Sequence, residues 1–437
     1  MMNDAIAVFN TAVNAVKPAV AISAYLILEN GKLFVHGKPV EIAEASRLYL
    51  LSVGKAAAAM AQETEKIMGE KLAGGLVVTK YDHALPLKHC TVIEASHPVP
   101  DDNGVQAAHA IKKLLTKLTS GDVLLCMISG GASALIADIA EGISLADLQQ
   151  LSRLLLGCGA SIDEINSIRK HICVLKGGQL LNYCQQAQVI SLIISDVMGD
   201  DLSVIASGLT VPDTSTFKDA WKVIQKYQLE EKLPVAIKTH LKKGTDQLIN
   251  DTPKPGEAIF ERVRNDIISN NQKALDAAVA FAEKAGYHTR VIQTSLQGEA
   301  SDQARMFVNH LLTYNGPKPA CLLMGGETTV TIKGNGKGGR NQEFVLAALD
   351  ELIKKDVSPE GFPVVLSGGT DGTDGPTDAA GAVIDHTIIQ RLNKTKLKSD
   401  TYLKNNDAYS FFQQLDGLLI TGPTQTNVMD VVVGLIN

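Results

Sequence analysis

Short unbroken apolar runs of strand length alternate along the chain with longer runs that carry apolar residues at helical spacing. A helix is predicted over residues 4–30 and a hairpin-like stretch around Gly31 and Gly37. RLYLLSVGKAAAAMAQETEKIMG then predicts a strand, a Gly-Lys turn and a strong helix. GGLVVTK and TVIEASHPVPD read as strands, Ala107–Leu118 as a helix, and DVLLCMI as a buried strand running into a Gly-Gly turn and a helix, Ser129–Ala140. Helical stretches at 144–157 and 161–184 precede QVISLII, a buried strand that ends near Asp196. Beyond a polar, turn-rich segment, 242–258, come a helix at 271–285, the strand HTRVIQT, a helix ending at Leu312, and the strand ACLLMGG. An amphipathic EFVLAALDELIKK, the strand PVVLSGG and two apolar strands flanking Thr421–Asn427 complete the chain. Such alternation predicts an α/β fold with a parallel sheet. At 437 residues the chain is too long for one ordinary core, so two α/β domains are expected, 1–248 and 249–437.

Chemistry gathers at the glycine-rich joints. Between ACLLM and EFVLAALDELIKK lies Gly325–Glu343, where Gly325, Gly326, Gly334, Gly336, Gly338 and Gly339 leave the backbone bare. Bare N–H groups beside a helix start suit an anion, and Arg340 in the first turn of that helix opposes the helix dipole unless an anion shares the site. A flexible loop with a solvated arginine is the plain alternative. Lys55, in SVGKAA, is a second cation placed at the start of a helix, although the spacing is not that of a phosphate-binding GxxxxGK[ST] loop. Ser129, Gly130, Gly131, Ala132 and Ser133 follow a strand and offer N–H and hydroxyl donors to an acid or phosphate, and GGASA is not a hydrolase elbow. Asn166, Arg169 and Lys170 share one helix side, either solvated or reaching a cleft. Asp196, with Asp200 and Asp201, suits a general base or a magnesium ligand, against capping and turn roles. Asp371, Asp374 and Asp378 among glycines point to a cation site, with spacing that excludes an EF-hand. His97 ends a strand and either contacts substrate or is bonded locally.

Hydrophobic content of 45% and charged content of 20% are those of a soluble enzyme. A net charge of −6 without a basic block argues against nucleic acid. No apolar run has the length of a membrane span, and the N-terminus lacks the pattern of a signal peptide. Six scattered cysteines without CxxC spacing read as reduced thiols, which with the rest makes the cytoplasm the expected compartment.

In order, SVGKAA, SHPVPD, SGGASAL, INSIRKH with KGG, SDVMGDD, ASGLTVPD, GGETTVT, GKGGRNQE, SGGTDGTDGPTDAAGA and TGPTQTNVMD resemble the glycerate 2-kinases whose C-terminal part is called MOFRL. The resemblance runs from Val53 to Asp430, with the MOFRL region at about 318–430. It implies a Rossmann-like N-terminal domain, a smaller α/β C-terminal domain, and an active site in the cleft between them. It implies transfer of the γ-phosphoryl of ATP to the 2-hydroxyl of D-glycerate with Mg2+, giving 2-phospho-D-glycerate and ADP. The family's catalytic lysine and arginine match Lys55 and Arg340, and Asp196 is the expected base. Expected substrate and nucleotide contacts are Ser129–Ser133, Arg169, Gly325, Gly326, Glu327, Gly338, Gly339, Asn341, Thr370, Asp371, Thr424 and Asn427. The expected metal ligands are Asp196, Asp201 and Asp371. Partners are then the acid and ATP, with no nucleic acid and no membrane, and a homodimer is one allowed assembly. Four positions depart from the family: Met198 and Leu209 stand where proline is usual, Gln425 where glycine is, and Cys173 where serine is. An NAD(P)H-dependent hydroxypyruvate reductase is the rival reading, but no G-x-G-x-x-G follows a strand with an acidic residue about 20 positions on.

Overall fold

The computed structural model describes residues 1–40, 46–358 and 361–437, and the chain divides into two compact units. One unit is Ala21–Ile268; the other joins Met1–Val20 to Ser269–Asn437. The domain change expected at 248/249 therefore lies 20 residues before the observed one, 268 − 248, and the chain's first 20 residues go with its C-terminal half.

In Ala21–Ile268, an antiparallel meander, β1 (Leu26–Glu29), β2 (Lys32–Val35) and β3 (Lys38–Val40), precedes the main sheet. That sheet holds β4 (Leu48–Val53), β5 (Leu72–Lys80), β6 (Cys90–Ala95), β7 (Val123–Ile128), β8 (Gln188–Ile194) and β9 (Val263–Ser269). Their order is β6-β5-β4-β7-β8-β9, and the pairs from β6 through β8 are parallel. This is the 3-2-1-4-5-6 order of doubly wound dinucleotide-type sheets, which reverses between β4 and β7 and opens a crevice at their carboxyl ends. β7 is buried along its whole length, as a central parallel strand covered on both faces must be.

The second unit carries β10 (His288–Leu296), β11 (Ala320–Gly326), β12 (Val364–Gly369), β13 (Gly381–Ile384), β14 (Leu418–Leu419) and β15 (Asp430–Ile436), in the order β10-β11-β15-β12-β13-β14. Only β10 and β11 pair in parallel; the pairings of β15, β12, β13 and β14 are antiparallel. Helix Arg340–Lys354 is buried almost all round, with Phe344, Val345, Leu346, Ala348, Leu349 and Leu352 in the core. Helix Met2–Ala15 docks on this sheet: Asp4 accepts from the Tyr287 hydroxyl at 2.7 Å, and the Phe9 ring fills the space a side chain at Gly368 would need.

Three predicted helices are shorter than expected. Residues 4–30 give two helices, Met2–Ala15 and Pro18–Tyr25, because Pro18 lacks the N–H that would continue the first. The helix after the Gly-Gly turn is only Ala132–Leu135. The stretch 161–184 stops at Ile172, before Gly177 and Gly178 at φ +60° and +79°. Among the described residues no single helix is long and apolar enough to cross a membrane; Met2–Ala15 and Pro18–Tyr25 reach that composition only together, bent by 44°.

Candidate active site

In Ala21–Ile268 the switch point collects the expected chemistry. Lys55 lies in the turn between β4 and helix Ala57–Met68, just ahead of the helix rather than in its first turn. Its backbone N–H donates to the Gly130 carbonyl at 2.9 Å, and the Ala56 N–H donates to Ser129 Oγ at 3.1 Å, so the β4 and β7 turns are tied together. Gly54 must be glycine, with φ +123° and the Ser129 backbone where a Cβ would stand. A Cβ at Gly130 would fall on the Asp196 carboxylate, so any larger residue there displaces that side chain. Asp196, just past β8, is thereby pressed against the Gly-Gly turn.

His97, past the end of β6, completes this crevice: its Nε2 lies 3.2 Å, and the Lys55 Cγ 3.1 Å, from where a Cβ on Gly131 would be. Burial first, then Lys55 and Lys80, pull the imidazole down to about 4, so it stays neutral beside the lysine at physiological pH. Ser133 Oγ bonds Ser207 Oγ at 2.9 Å, and Ser207 Oγ donates to Asn166 Oδ1 at 2.9 Å, so a polar chain links the turn to helix Ile162–Ile172. Asp201 is exposed and accepts from the Ser203 N–H at 2.8 Å, a turn-capping role.

The second unit holds Arg340 at the first position of its helix, as expected. Its anion is supplied from within: Nε and Nη2 donate to the Asp430 carboxylate at 2.6 and 2.9 Å, and Nη1 sits 2.7 Å from Glu327. Burial acts to lower the Arg340 pKa, but Asp430, Glu327 and Asp374 override it and push it up. The helix start is filled as well. Asp374, 2% exposed, accepts from the Asn341 N–H at 3.1 Å and the Gln342 N–H at 2.8 Å. Burial raises this carboxyl to about 6 against the pull of those two donors. At this helix start, where a ligand anion was expected, the Asn341 and Gln342 N–H groups are met by Asp374.

The glycines of this stretch serve close packing instead. Gly325 and Gly326 are buried in β11, against Asn271 and the Leu296 backbone, while Gly334 and Gly336 abut Asn405 and Asp407. Gly338 and Gly339 do line an open cleft of about 470 Å3, together with Glu327, Arg340, Glu343 and Asp374. Asn341 and Thr370 are buried and hold other protein groups. Asn341 Oδ1 accepts from Ser367 Oγ at 2.6 Å, and Thr370 Oγ1 donates to the Met429 carbonyl at 2.6 Å. Thr424 Oγ1 donates to the Thr370 carbonyl, and Asn427 accepts from the Met429 N–H, both within the loop leading into β15.

Asp371, Asp374 and Asp378, the carboxylates expected at a cation site, each bond other groups of the protein. Asp371 accepts from the Thr373 N–H, Asp374 caps the helix, and Asp378 bonds the Tyr409 hydroxyl. Among the described residues no group of three or more His, Cys, Asp or Glu is arranged to hold a metal. Asp430 and the capping role of Asp374 were not foreseen. Their signal was the second half of the dipole argument: a cation at a helix start needs an anion, and the chain carries its own.

Residues 4–242 match a domain of unknown function, DUF4147, and residues 320–430 match the MOFRL family. The chain is 41% identical to a D-glycerate 2-kinase of Thermotoga maritima, over 89% of this chain and 91% of that protein. It is 39% identical to an Agrobacterium vitis protein provisionally named a hydroxypyruvate reductase, over 88% of this chain and 98% of that one. The crystal structure of a Thermotoga maritima glycerate kinase superposes with a TM-score of 0.86 at 38% identity, covering 100% of this chain and 99% of that one. With the Rossmann-type strand order, the Lys55 turn and the MOFRL segment all in place, this chain is a member of the glycerate kinase family.

Proposed function

We propose that the protein transfers the γ-phosphoryl of ATP to the 2-hydroxyl of D-glycerate, giving 2-phospho-D-glycerate and ADP. The observation that carries this reading is the switch-point crevice, where Lys55, His97 and Asp196 converge on the Gly130-Gly131 turn. D-glycerate binds there. Asp196 orients the 2-hydroxyl and takes its proton as the new O–P bond forms and the β–γ bridge bond of ATP breaks. Lys55 neutralises charge on the phosphoryl in flight, and the neutral His97 adds no competing positive charge beside it.

The cleft of about 470 Å3 beside Arg340 is of ligand size and takes the nucleotide, with Val330 and Ile332 as apolar wall. Arg340 Nη1 exchanges Glu327 for a phosphate oxygen while Asp430 keeps the guanidinium fixed. Asp201 and Asp371 spend carboxylate oxygens on their own turns, and among the described residues there is no all-protein cage. That suits Mg2+ carried on the nucleotide's phosphates with one carboxylate, Asp196, at hand; when bound, it offsets the phosphates' charge. Six free thiols fit a reducing compartment, the cytoplasm, and a homodimer is the assembly to look for by light scattering.

The reductase reading has one sequence feature in its favour. Gly334-Asn335-Gly336-Lys337-Gly338-Gly339 satisfies G-x-G-x-x-G and opens a helix. The N–H groups that would receive a pyrophosphate are held by Asp374, however, and seven residues separate the run from β11. One experiment separates the readings: ADP release with D-glycerate against NADH oxidation with hydroxypyruvate, with 31P NMR to locate the phosphate. NADH oxidation without ADP release overturns the kinase.

A further inference from the structure

We propose that Arg169, with Asn166, forms the subsite that grips the carboxylate of a small 2-hydroxy acid at the edge of the switch-point crevice. This rests on the assignment of that crevice to the acid substrate and specifies which side chains hold its charged end.

Helix Ile162–Ile172 ends in three basic residues, and two of them are accounted for inside the protein. Lys170 Nζ pairs with the buried Asp213 at 3.2 Å, and His171 donates from Nδ1 to the Ser167 carbonyl at 2.6 Å while its Nε2 lies 2.9 Å from Asp251 Oδ1. Lys176, just beyond, is buried on Asp138 and the Ile136 carbonyl. Arg169 is different. Among the described residues no carboxylate or carbonyl pairs with it, although its neighbours on the helix are locked in place. Desolvation lowers its pKa, with only Cys173 nearby to oppose it, a thiol that burial itself pushes up to about 12. A partly buried guanidinium without a counter-charge is a standing cost to the fold.

Asn166 precedes it by three residues and shares its helix side. This side chain is 4% exposed; its Oδ1 is taken by Ser207, and its Nδ2 donor has no partner. Two unsatisfied donors, one charged, thus stand one turn apart on a helix whose register is fixed by Lys170 and His171. They stand beside the crevice: Arg169 and Ser133 line one small cavity of about 10 Å3 with Pro98 and Pro100, and Ser133 belongs to the Gly-Gly turn. That space admits roughly one oxygen-sized group. A carboxylate can insert one oxygen there and accept from the guanidinium. The 2-hydroxyl, one carbon away, is then left for Asp196 and Lys55.

The test compares the wild type with Arg169→Ala and Arg169→Lys. In the ADP-release assay, Arg169→Ala is expected to raise the KM for D-glycerate on the order of a hundred-fold, as loss of one partner of a desolvated charge pair does. The KM for ATP and kcat should move less than about three-fold, and millimolar guanidinium should restore most of the loss. Arg169→Lys, which keeps the charge without the fork, should fall between and serves if the alanine variant is unfolded by circular dichroism. Should the wild type release no ADP, the kinase reading fails by itself. Calorimetric binding of D-glycerate to the same variants then decides the subsite, with loss in Arg169→Ala expected. An unchanged KM or binding constant, a parallel rise in the KM for ATP, or no rescue by guanidinium overturns it.

Discussion

Arg340 and Asp430 form a two-point ion pair in which the guanidinium is partly exposed and the carboxylate, at 2% exposure, is not. The pair joins the first residue of one helix to the first residue of β15, so it fixes where the arginine's remaining nitrogen points. Asp430→Asn keeps the shape and removes the charge. It should destabilise the fold by about 1–3 kcal/mol, the cost of leaving a buried partner imperfectly satisfied. It should also lower turnover by releasing Arg340. Urea midpoints and steady-state rates measure the two effects, and an unchanged kcat would mean that Arg340 needs no such fixing.

Lys55 is assigned to the phosphoryl in transfer and Arg340 to a phosphate oxygen of the nucleotide. Each alanine variant is expected to lose on the order of a hundred-fold or more in turnover. If both act on one transition state, the double variant should lose far less than the product of the single losses. Strictly multiplicative losses would place one of them outside the chemistry.

Gly130→Ala places a methyl group on the Asp196 carboxylate while leaving every titratable residue in the crevice unchanged. Gly130 does not have a positive φ, so the backbone tolerates alanine and the displaced group is Asp196. kcat should fall on the order of a hundred-fold, as when a proton acceptor is lost or misplaced. Chemical denaturation should show a change of no more than about 1–3 kcal/mol, as for other overpacked sites. Full activity in this variant would remove Asp196 from the base position.

The α/β class was legible because β4, β7 and β8 are largely apolar runs that close on Gly or Asp and alternate with helices; the order 3-2-1-4-5-6 was not, since the same alternation also builds 2-1-3-4-5 sheets. Lys55 and Arg340 were legible as cations set against helix dipoles. Their surroundings were not. Arg340 is answered by Asp430, 90 residues away, and the helix start by Asp374, 33 residues from Asn341. Pairings across such separations leave no local spacing to read. Glycine density misled for a related reason: a glycine needed for close approach, as Gly325 is against Asn271, reads the same as one that bares an N–H. The departure at Gln425 was legible in the opposite sense, since the residue type alone raised the question of a positive φ.

Asp374 should leave a signature in the pH dependence of stability. Burial raises its carboxyl from 3.8 to about 6 in the folded chain. Between those values the folded protein holds a proton that the unfolded chain has released. Its contribution to stability is therefore complete below the unfolded value and is lost as pH rises through about 6. Unfolding free energies of the wild type should decline from pH 4 to 6.5 relative to Asp374→Asn, by about 1.4 kcal/mol per pH unit at most. Parallel curves would mean that the two helix N–H donors outweigh burial.

Gln425 stands at φ +64° with its buried Oε1 unpartnered, so the loop before β15 carries both a left-handed backbone and an orphan acceptor. A non-glycine residue in that region costs of order 1–3 kcal/mol, and an unsatisfied buried carbonyl adds to it. Glycine removes both penalties but brings its own backbone entropy, about 0.5–1 kcal/mol against the gain. Gln425→Gly should therefore stabilise the protein by about 1 kcal/mol, read as a higher urea midpoint with an unchanged slope. The same loop carries Thr424 and Asn427, whose bonds to Thr370 and Met429 fix its path toward Asp430. If the strain is only structural, KM for D-glycerate and ATP will not change in Gln425→Gly. If it aims the Asp430 carboxylate, kcat will fall even as stability rises, a trade-off that a loop without a role in the reaction could not produce.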